Sequence, residues 1–335
     1  MESKKKAIIL VNVGTPDKPE VKSVRKFLTR FLNDRRVIDL PWLAQKLLVN
    51  LIIIPFRAKN STRLYKQLWT SEGSPILLHL NSLSSKLQTL LGSQYQVFPA
   101  MRYGNPSLKK VLEEIQDESF TALVVFPLFP QYASSTTGTI AAYVMRSMRK
   151  WPVIPEVLFM GQFYDHPAFL KAFSRRIKTY RPEDFEHVIF SYHGLPLQHI
   201  DRVHPLVSNA QCACTKEMPV HGKNCYKASC YHTSRLLAHE IGMKTDGYSI
   251  AFQSRLSKNW LTPFTDETII ALAKKGVKKL LVIAPSFVAD CLETTVELGI
   301  DYARLFKKHG GETLVMVESL NDDDLWVQAV AEMVK

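Results

Sequence analysis

Short apolar runs alternate along this chain with longer segments in which apolar residues recur at helical spacing. Near-continuous runs of Val, Ile, Leu and Phe predict strands that are covered on both faces, as in parallel sheets. Seven strands are predicted on this basis: Ala7–Val13, Gln96–Met101, Ala122–Phe126, Val153–Phe159, Val188–Tyr192, Tyr248–Phe252 and Lys279–Ala284. Their alternation with helical segments predicts an α/β fold with doubly wound parallel sheets.

The helical segments lie between these strands and indicate how the chain is divided. They cover about Val21–Leu32, Leu77–Leu91, Leu108–Asp117, Thr137–Met148, Pro167–Tyr180, Tyr226–Ile241, Asp266–Lys274, Cys291–Lys308 and Asp324–Val334. A chain of 335 residues is long enough for two domains. We expect a first lobe over residues 1–163, a second over 164–320, and a C-terminal helix over 321–335 that packs back on the first lobe.

One mostly apolar segment, Val37–Phe56, is interrupted by prolines and polar residues, so a membrane-spanning helix is not expected there. An amphipathic helix from about Trp42 to Ile54 fits the pattern better. Two interpretations of residues 42–56, the lip segment, are open. Its apolar face could join the core, or it could form a surface lip that contacts lipid or admits an apolar ligand.

The formal net charge is +12, which is compatible with nucleic acid, anionic lipid or an acidic small molecule as partner. The basic residues are dispersed, and no basic helix with interleaved aromatic residues is present, so nucleic-acid binding is not expected. The start, MESKKK, has no apolar signal core. We therefore expect a cytoplasmic protein whose thiols stay reduced, which favours metal ligation over disulfides.

Four of the five cysteines fall within nineteen residues, at Cys212, Cys214, Cys225 and Cys230. Their spacing is C-x-C, ten residues, then C-x4-C, in a segment that contains Pro and Gly and reads as a loop. Four thiolates can hold either zinc or an iron–sulfur cluster, and the spacing alone does not decide between them. The fifth cysteine, Cys291, is expected to be separate from this group.

Polar residues follow nearly every predicted strand, which is where ligands bind in open α/β sheets. They are Asn12 to Thr15, Arg102 and Tyr103, Gln131 and Tyr132, His193 and Gly194, Gln253 to Arg255, and Ser286 and Asp290. The pattern predicts an active cleft between the two lobes. Neither GxGxxG nor GxxxxGK[ST] is present, so a nicotinamide cofactor or a nucleoside triphosphate has no support.

Three acidic residues, Asp290, Glu293 and Glu297, are spaced at i, i+3 and i+7 and would share one face of an α-helix. A row of carboxylates could relay protons or guide a hydrated ferrous ion, since oxygen ligands suit such a cation. The alternative is structural, with Asp290 as the N-cap of the helix and Glu293 as its capping-box partner.

Several motifs together carry a resemblance to a known family. They are LVNVGTPD (10–17), GSPI (73–76), MRYGNPS (101–107), PQYASSTTG (130–138), FSYHGLP (190–196), FQSRLSKNWLTPFTDE (252–267) and APSFVADCLETTVELGIDY (284–302). In this order the chain resembles the ferrochelatases, which insert ferrous iron into a porphyrin at the end of haem synthesis. The resemblance implies two Rossmann-like lobes with a porphyrin cleft between them.

Metal insertion removes two pyrrole protons, so a base is needed near the ring. His193 suits this task because the unperturbed pKa of histidine is close to neutral. The resemblance places the family's active-site histidine at His193 and its essential glutamate at Glu293. Whether His193 takes the protons or binds the iron is left open, and Asp290 and Glu297 are the candidate path for metal or protons.

The resemblance and the strand-end positions also suggest residues that contact the porphyrin. Trp260 matches a porphyrin-contacting tryptophan, and Ser74 matches the family at GSPI. Arg102 could pair with a propionate or another carboxylate, or simply be solvated, and Phe287 could equally be part of the core. The full set of candidates is Asn12, Ser74, Arg102, Tyr103, Tyr132, Trp260 and Phe287.

Some bacterial ferrochelatases carry a [2Fe–2S] cluster on an internal cysteine group that follows the histidine motif, and this chain resembles that type. The resemblance assigns the cluster to Cys212, Cys214, Cys225 and Cys230, with His221 and His232 as nearby alternatives. Metal insertion moves no net electrons, so we expect such a cluster to act as a staple that stabilises the fold.

The sequence thus predicts a lyase, a ferrochelatase that converts protoporphyrin IX and Fe²⁺ to haem b. The alternatives are a chelatase for coproporphyrin III or for cobalt, and a non-catalytic protein that binds porphyrin or haem. The expected partner is a porphyrin, with peripheral contact to the inner membrane surface as an open option. The chain is expected to be a monomer or a homodimer.

Overall fold

The seven predicted strands and one further strand form two four-stranded parallel sheets, one in each of two units. The computed structural model describes residues 5–118, 120–203 and 207–335. Unit 1 comprises Met1–Phe129, Ala133–Gln162 and Asn321–Lys335, and unit 2 comprises Pro130–Tyr132 and Phe163–Leu320. Parallel sheets flanked by helices in both units confirm the predicted fold class.

The sheet of unit 1 consists of β1 (Lys6–Asn12), β2 (Tyr95–Met101), β3 (Ala122–Pro127) and β4 (Glu156–Phe159), in the order β2-β1-β3-β4. In the central strand β1, Ile9 pairs with Phe98 on one side and with Val125 on the other. Burial of β1 on both faces explains its uninterrupted apolar run. Strand β4 begins later than predicted, and the preceding Pro155 has no N–H to donate to a ladder.

The helices of unit 1 cover the sheet with amphipathic faces. In the first of them, Val24, Phe27 and Leu28 recur at helical spacing and are buried. Two π-helical segments, Leu48–Ile53 and Ser134–Gly138, lead into the third and sixth helices. The helices are α1 (Val21–Leu32), α2 (Trp42–Leu47), α3 (Ile54–Leu68), α4 (Pro75–Leu91), α5 (Leu108–Asp117) and α6 (Thr139–Met148).

The sheet of unit 2 consists of β5 (His187–His193), β6 (Tyr248–Gln253), β7 (Lys279–Ile283) and β8 (Thr313–Met316), in the order β6-β5-β7-β8. The edge strand β8 was not among the predicted strands. The helices are α7 (Pro167–Lys178), α8 (Leu197–Asp201), α9 (Tyr226–Glu240), α10 (Thr265–Lys274) and α11 (Tyr302–Lys308), and the π-helix Leu292–Asp301 leads directly into α11.

The last helix, α12 (Asp324–Val334), belongs to unit 1 and packs against α4. Its N-cap is Asp323, whose side chain accepts a hydrogen bond from Leu325 N at 2.9 Å. The preceding residue, Asp322, accepts hydrogen bonds from Ser82 Oγ at 2.7 Å and from His79 Nδ1 at 3.2 Å. These α4 side chains and the Lys86 ammonium hold the pKa of the Asp322 carboxyl at about 2, against the opposing effect of burial.

The lip segment is helical, and its apolar side chains are largely exposed. Gln45, Val49 and Ile54 form its buried side. Trp42 is 61% exposed and Phe56 is 75% exposed, and Leu43, Leu47, Leu51 and Ile52 are at least half exposed. The interpretation in which this apolar face joins the core is therefore wrong for these six residues. None of the helices within the described ranges is long and apolar enough to cross a membrane.

Candidate active site

His193 is the last residue of β5, and its imidazole has a defined tautomer. Its Nδ1 lies 2.7 Å from the carbonyl oxygen of Gly194. A carbonyl only accepts, so Nδ1 carries the proton and donates, and Nε2 of the neutral ring carries the lone pair. The ring is half-buried, and its centroid lies 6.2 Å from that of Trp260. Nε2 can therefore serve as a base or as a metal ligand.

Gly194 fixes the backbone beside this imidazole. Its N–H donates to Gln253 O at the end of the neighbouring strand β6, at 2.8 Å. A Cβ at this position would lie 2.9 Å from that oxygen and 3.2 Å from Cε3 of Trp260. Only glycine fits without movement of the backbone or of the indole, which accounts for the glycine in SYHGLP.

Glu297 is held by three donors within unit 2. Its carboxylate accepts hydrogen bonds from Ser254 N at 3.0 Å, from Ser254 Oγ, and from Tyr302 Oη at 3.0 Å. Ser254 directly follows β6 and has a φ of 60°, a left-handed conformation that is uncommon outside glycine. Such a conformation persists where the surroundings determine it, and here it directs both donors of one residue at a single carboxylate.

The electrostatics of Glu297 bring three titratable groups into one neighbourhood. Burial raises the pKa of its carboxyl above the ordinary value, and the nearby charge of Glu293 raises it further. The hydrogen bonds from Ser254 and Tyr302, and the positive charge of His193 when its ring is protonated, oppose this shift without cancelling it. Glu297 thus interacts with both Glu293 and His193, and it takes up a proton more readily than an exposed glutamate does.

Asp290 does not share a helical face with the two glutamates, so this part of the sequence prediction is wrong. The helix is a π-helix that begins at Leu292, and Asp290 precedes it. Its carboxylate accepts hydrogen bonds from Thr294 Oγ1 at 3.2 Å and from Ser319 N at 3.1 Å. The alternative cap assignment is also wrong, because the N-cap is Cys291 and Thr294 completes the capping box.

Cys291 lies beside Glu293 within the same turn. Its thiol is buried, which raises its pKa well above the ordinary value, and the charge of Glu293 adds to the shift. The thiol is also hydrogen-bonded to the side chain of Glu293. Cys291 therefore lies beside the acidic pair formed by Glu293 and Glu297.

Arg102 and Tyr103 of unit 1 share a half-buried partner, Asp34, that sequence reasoning missed. The carboxylate oxygen Oδ2 of Asp34 accepts from Arg102 Nη2 at 2.8 Å, from Tyr103 Oη at 2.9 Å and from Thr139 Oγ1 at 2.6 Å. Burial opposes ionisation of Asp34, but these bonds and the Arg102 charge hold its pKa below the ordinary value. Arg102 also stacks on the ring of Tyr143, 4.4 Å from its centroid, so the interpretation of a solvated arginine is wrong.

The remaining candidates have the following surroundings. Asn12 is buried at the end of β1, and its Oδ1 accepts from Val13 N at 2.8 Å. Ser74 is buried, and its hydroxyl lies 2.8 Å from that of Thr15. Tyr132 is half-buried in unit 2. Phe287 is half-buried and packs against the apolar core of unit 2.

The four clustered cysteines are free thiols, and all four are buried. Burial raises the pKa of the Cys214 thiol to about 12, the nearby Lys227 ammonium lowers it, and Cys212 and Cys225 raise it. Burial also raises the pKa of Cys230 well above the ordinary value, and Cys225 and Cys214 add to this shift. The four sulfurs therefore share one environment. Cys230 lies on α9 and not in the loop.

Two histidines near the cysteines differ in their contacts. Nε2 of His221 lies 3.3 Å from Sγ of Cys212, whereas His232 packs edge-on against Tyr164. Across the described ranges, no group of three or more His, Cys, Asp or Glu side chains is already arranged to hold a metal ion. The structure thus brings the thiols near one another without assembling a coordination shell.

Comparison with known proteins bears on the chemistry of this arrangement. The ferrochelatase family profile matches residues 5–335. The chain belongs to the ferrochelatase family. A ferrochelatase of Legionella pneumophila (strain Lens) is 40% identical over 334 residues, covering 98% of this chain and 98% of the relative. A ferrochelatase of Coxiella burnetii is 38% identical over 335 residues, covering 98% of this chain and 92% of the relative.

Solved structures support the same fold. SirB from Bacillus subtilis with Fe³⁺ has a TM-score of 0.56 at 12% identity, covering 98% of this chain and 94% of that chain. The sirohydrochlorin chelatase SirB of Bacillus subtilis subspecies spizizenii, in complex with cobalt, has a TM-score of 0.50 at 12% identity, covering 97% and 92%. At this identity the likeness shows the fold alone. Membership of the ferrochelatase family makes the protein an enzyme, a lyase of haem synthesis that inserts iron into a porphyrin.

Proposed function

We propose that this ferrochelatase inserts Fe²⁺ into protoporphyrin IX, giving haem b and releasing two pyrrole protons. The observation that carries the proposal is the group formed by His193, Glu293 and Glu297. An imidazole nitrogen with a lone pair lies in the same neighbourhood as two carboxylates, one of which has a raised pKa. Metal insertion needs a base at the ring and an acceptor for the released protons, and this group offers both.

The roles follow from the chemistry of each side chain. Nε2 of His193 accepts a pyrrole proton or binds the incoming iron, and Glu293 is the carboxylate that works with it. Glu297 takes the proton onward, because its raised pKa favours the protonated state. Asp290 supports the start of the π-helix that carries both glutamates.

The family resemblance supports porphyrin contacts by the candidates named above. In unit 2, Trp260 lies beside the imidazole of His193, and its indole offers a flat apolar surface to a macrocycle; Tyr132 and Phe287 are the other candidates there. In unit 1, Arg102 and Tyr103 are fixed by Asp34, and Asn12 and Ser74 are buried. We propose that these residues shape the porphyrin site as pre-ordered groups.

The test is iron insertion under anaerobic conditions. Protein, Fe²⁺ and protoporphyrin IX are mixed, and the haem absorption spectrum is followed, with coproporphyrin III and Co²⁺ as competing substrates. We expect haem formation that is lost in His193→Ala and in Glu293→Gln, with the control Lys109→Gln, an exposed surface change, fully active. Binding of porphyrin without any metallation would instead identify a porphyrin carrier.

We further propose a [2Fe–2S] cluster on Cys212, Cys214, Cys225 and Cys230. Four buried thiols in one environment form an all-sulfur donor set, and Lys227 nearby favours the thiolate forms. A bound cluster would tie the loop that precedes α9 to the helix itself. We expect the purified protein to be red-brown, with visible absorption bands and bound sulfide. Both should be absent from Cys230→Ser. Colourless protein that contains zinc would contradict the cluster.

We also propose that the protein is a cytoplasmic enzyme whose lip segment makes peripheral contact with the inner membrane surface. The exposed side chains of Trp42, Leu51 and Phe56 are followed on α3 by the exposed basic residues Arg57 and Lys59. This combination suits an anionic lipid surface. Flotation with anionic vesicles tests it: wild type should float, and a Trp42→Ser/Phe56→Ser variant should not.

A further inference from the structure

Tyr226 connects the cysteine segment to the backbone of His193. It is the first residue of α9, directly after the N-cap Cys225, and it is 7% exposed. Its hydroxyl donates to the carbonyl oxygen of His193 at 2.9 Å. The residues are 33 positions apart, so this bond is a tertiary contact between α9 and the end of β5.

The same hydroxyl group meets the cysteine group on its other side. Tyr226 and Cys230 are four residues apart on α9, and their side chains interact. The phenol donates its one proton to His193 O, so its oxygen can only accept from the Cys230 thiol. The helix is further tied at this end, because Ser229 Oγ donates to Cys225 O at 3.0 Å. One buried phenol thus lies between a cysteine sulfur and the histidine backbone.

The hydrogen bond from Tyr226 acts on the His193–Gly194 peptide, which orients the imidazole of His193. The His193–Gly194 peptide is held at its carbonyl by Tyr226 and at its N–H by Gln253. The next carbonyl along the chain, that of Gly194, accepts from Nδ1 of His193 and thereby places the lone pair on Nε2. Loss of the phenol bond would leave this peptide held from one side only.

We propose that Tyr226 is a positioning residue for His193, which fixes the Nδ1–H tautomer through the His193–Gly194 peptide and links it to the cysteine segment. The inference rests on the proposed role of His193 as base or iron ligand. It assigns the cysteine segment a second purpose beside metal binding, since it supports the backbone of the catalytic histidine.

The experiment compares Tyr226→Phe with the matched control Tyr192→Phe. Tyr192 is adjacent to His193 and also buried, but its hydroxyl pairs with Ser234 Oγ at 2.8 Å. Ring nitrogens of His193 are observed by long-range ¹H–¹⁵N NMR in the full-length protein, with His193→Gln for assignment. Steady-state iron insertion is measured in parallel for kcat and for the KM of protoporphyrin IX.

We expect Tyr226→Phe to move the His193 signals from the pure Nδ1–H tautomer toward a mixture. Its kcat should fall about tenfold, the effect of one lost hydrogen bond, with KM within about twofold. Tyr192→Phe should lose comparable thermal stability and keep the wild-type tautomer and kcat. Unchanged His193 signals in Tyr226→Phe, or equal changes in both variants, would overturn the proposal.

A measurement on the wild type guards against a misfolded variant. The Tyr226 hydroxyl proton should exchange slowly with solvent because it is hydrogen-bonded to His193 O, and rapid exchange of that proton would also overturn the proposal. If the wild type fails to insert iron, the proposed function fails, while the tautomer comparison still decides the role of Tyr226.

Discussion

Ser254 offers a direct test of how Glu297 acquires its protonation behaviour. Ser254 gives Glu297 two donors, a backbone N–H and a hydroxyl. Ser254→Ala removes the hydroxyl and keeps the N–H. A hydrogen bond to an ionised group contributes about 1.5–3 kcal/mol, and one pH unit corresponds to about 1.4 kcal/mol. We therefore expect the titration of Glu297 to move upward by about one to two pH units.

Ser254→Gly is the matched variant because it separates the hydrogen bond from the backbone. The φ of 60° is strained for alanine and relaxed for glycine. Both variants lack the hydroxyl, so both should show the same titration shift. They should differ in stability, with Ser254→Gly more stable than Ser254→Ala by about 1 kcal/mol in urea unfolding.

The assay is ¹³C NMR of glutamate carboxyls between pH 4 and pH 9, with Glu297→Gln for assignment. The folded state binds this proton more tightly than the unfolded state, so stability falls as pH rises from the unfolded toward the folded pKa. In both variants the loss of stability should extend to higher pH. The acidic limb of the pH–rate profile for iron insertion should also move to higher pH. A Glu297 titration that is unchanged, or shifted downward, in both variants would refute the reasoning.

Three other contacts give measurable expectations. Asp34→Asn should lower the unfolding free energy in urea by about 2 kcal/mol, since three donors converge on one half-buried carboxylate oxygen. Asp17→Asn, which loses an exposed ion pair with Lys26, should lower it by less than about 1 kcal/mol; equal losses would contradict the role of the Asp34 network. Gly194→Ala should lower both stability and kcat for iron insertion, because its Cβ would lie 2.9 Å from a backbone oxygen; wild-type values would show that the peptide has room. The stability that ionised Asp322 contributes is present above its unfolded pKa of about 4 and is lost as pH falls toward about 2. Thermal melts of wild type and Asp322→Asn should therefore converge over that range, and a constant gap would argue against it.

The fold was largely predictable because its main elements are written in local patterns. Each predicted strand lies on a strand of the structure, and in the central strands β1, β3 and β5 burial on both faces accounts for the continuous apolar run. Strand β8, a four-residue edge strand, was not predicted. Helix α3 was missed because Pro55 reads as a break in the sequence. In the structure Pro55 lies in the first helical turn, where a missing N–H is tolerated.

Residues of the candidate site could be predicted only where a local sequence pattern marks them. His193 ends an apolar strand, and Glu293 and Glu297 fall in one short acidic stretch. Their partners lie far away in the sequence: Ser254 is 43 positions from Glu297, and Asp34 is 69 from Tyr103. No periodicity marks such pairs, because each is created by the packing of separate elements. The π-helical form of Leu292–Asp301 was equally hidden, since its residues also suit an α-helix.

That π-helix has a consequence for protein engineering. A widened helix is less favourable than a regular one and tends to survive where function requires it. Deleting a single residue, such as Thr295, would let the segment relax into ordinary helical winding and would move Glu297 out of register with its two donors on Ser254. We expect the deletion variant to have a higher melting temperature and a lower kcat than the wild type. Efforts to stabilise this enzyme against heat should therefore leave the π-helix Leu292–Asp301 unchanged.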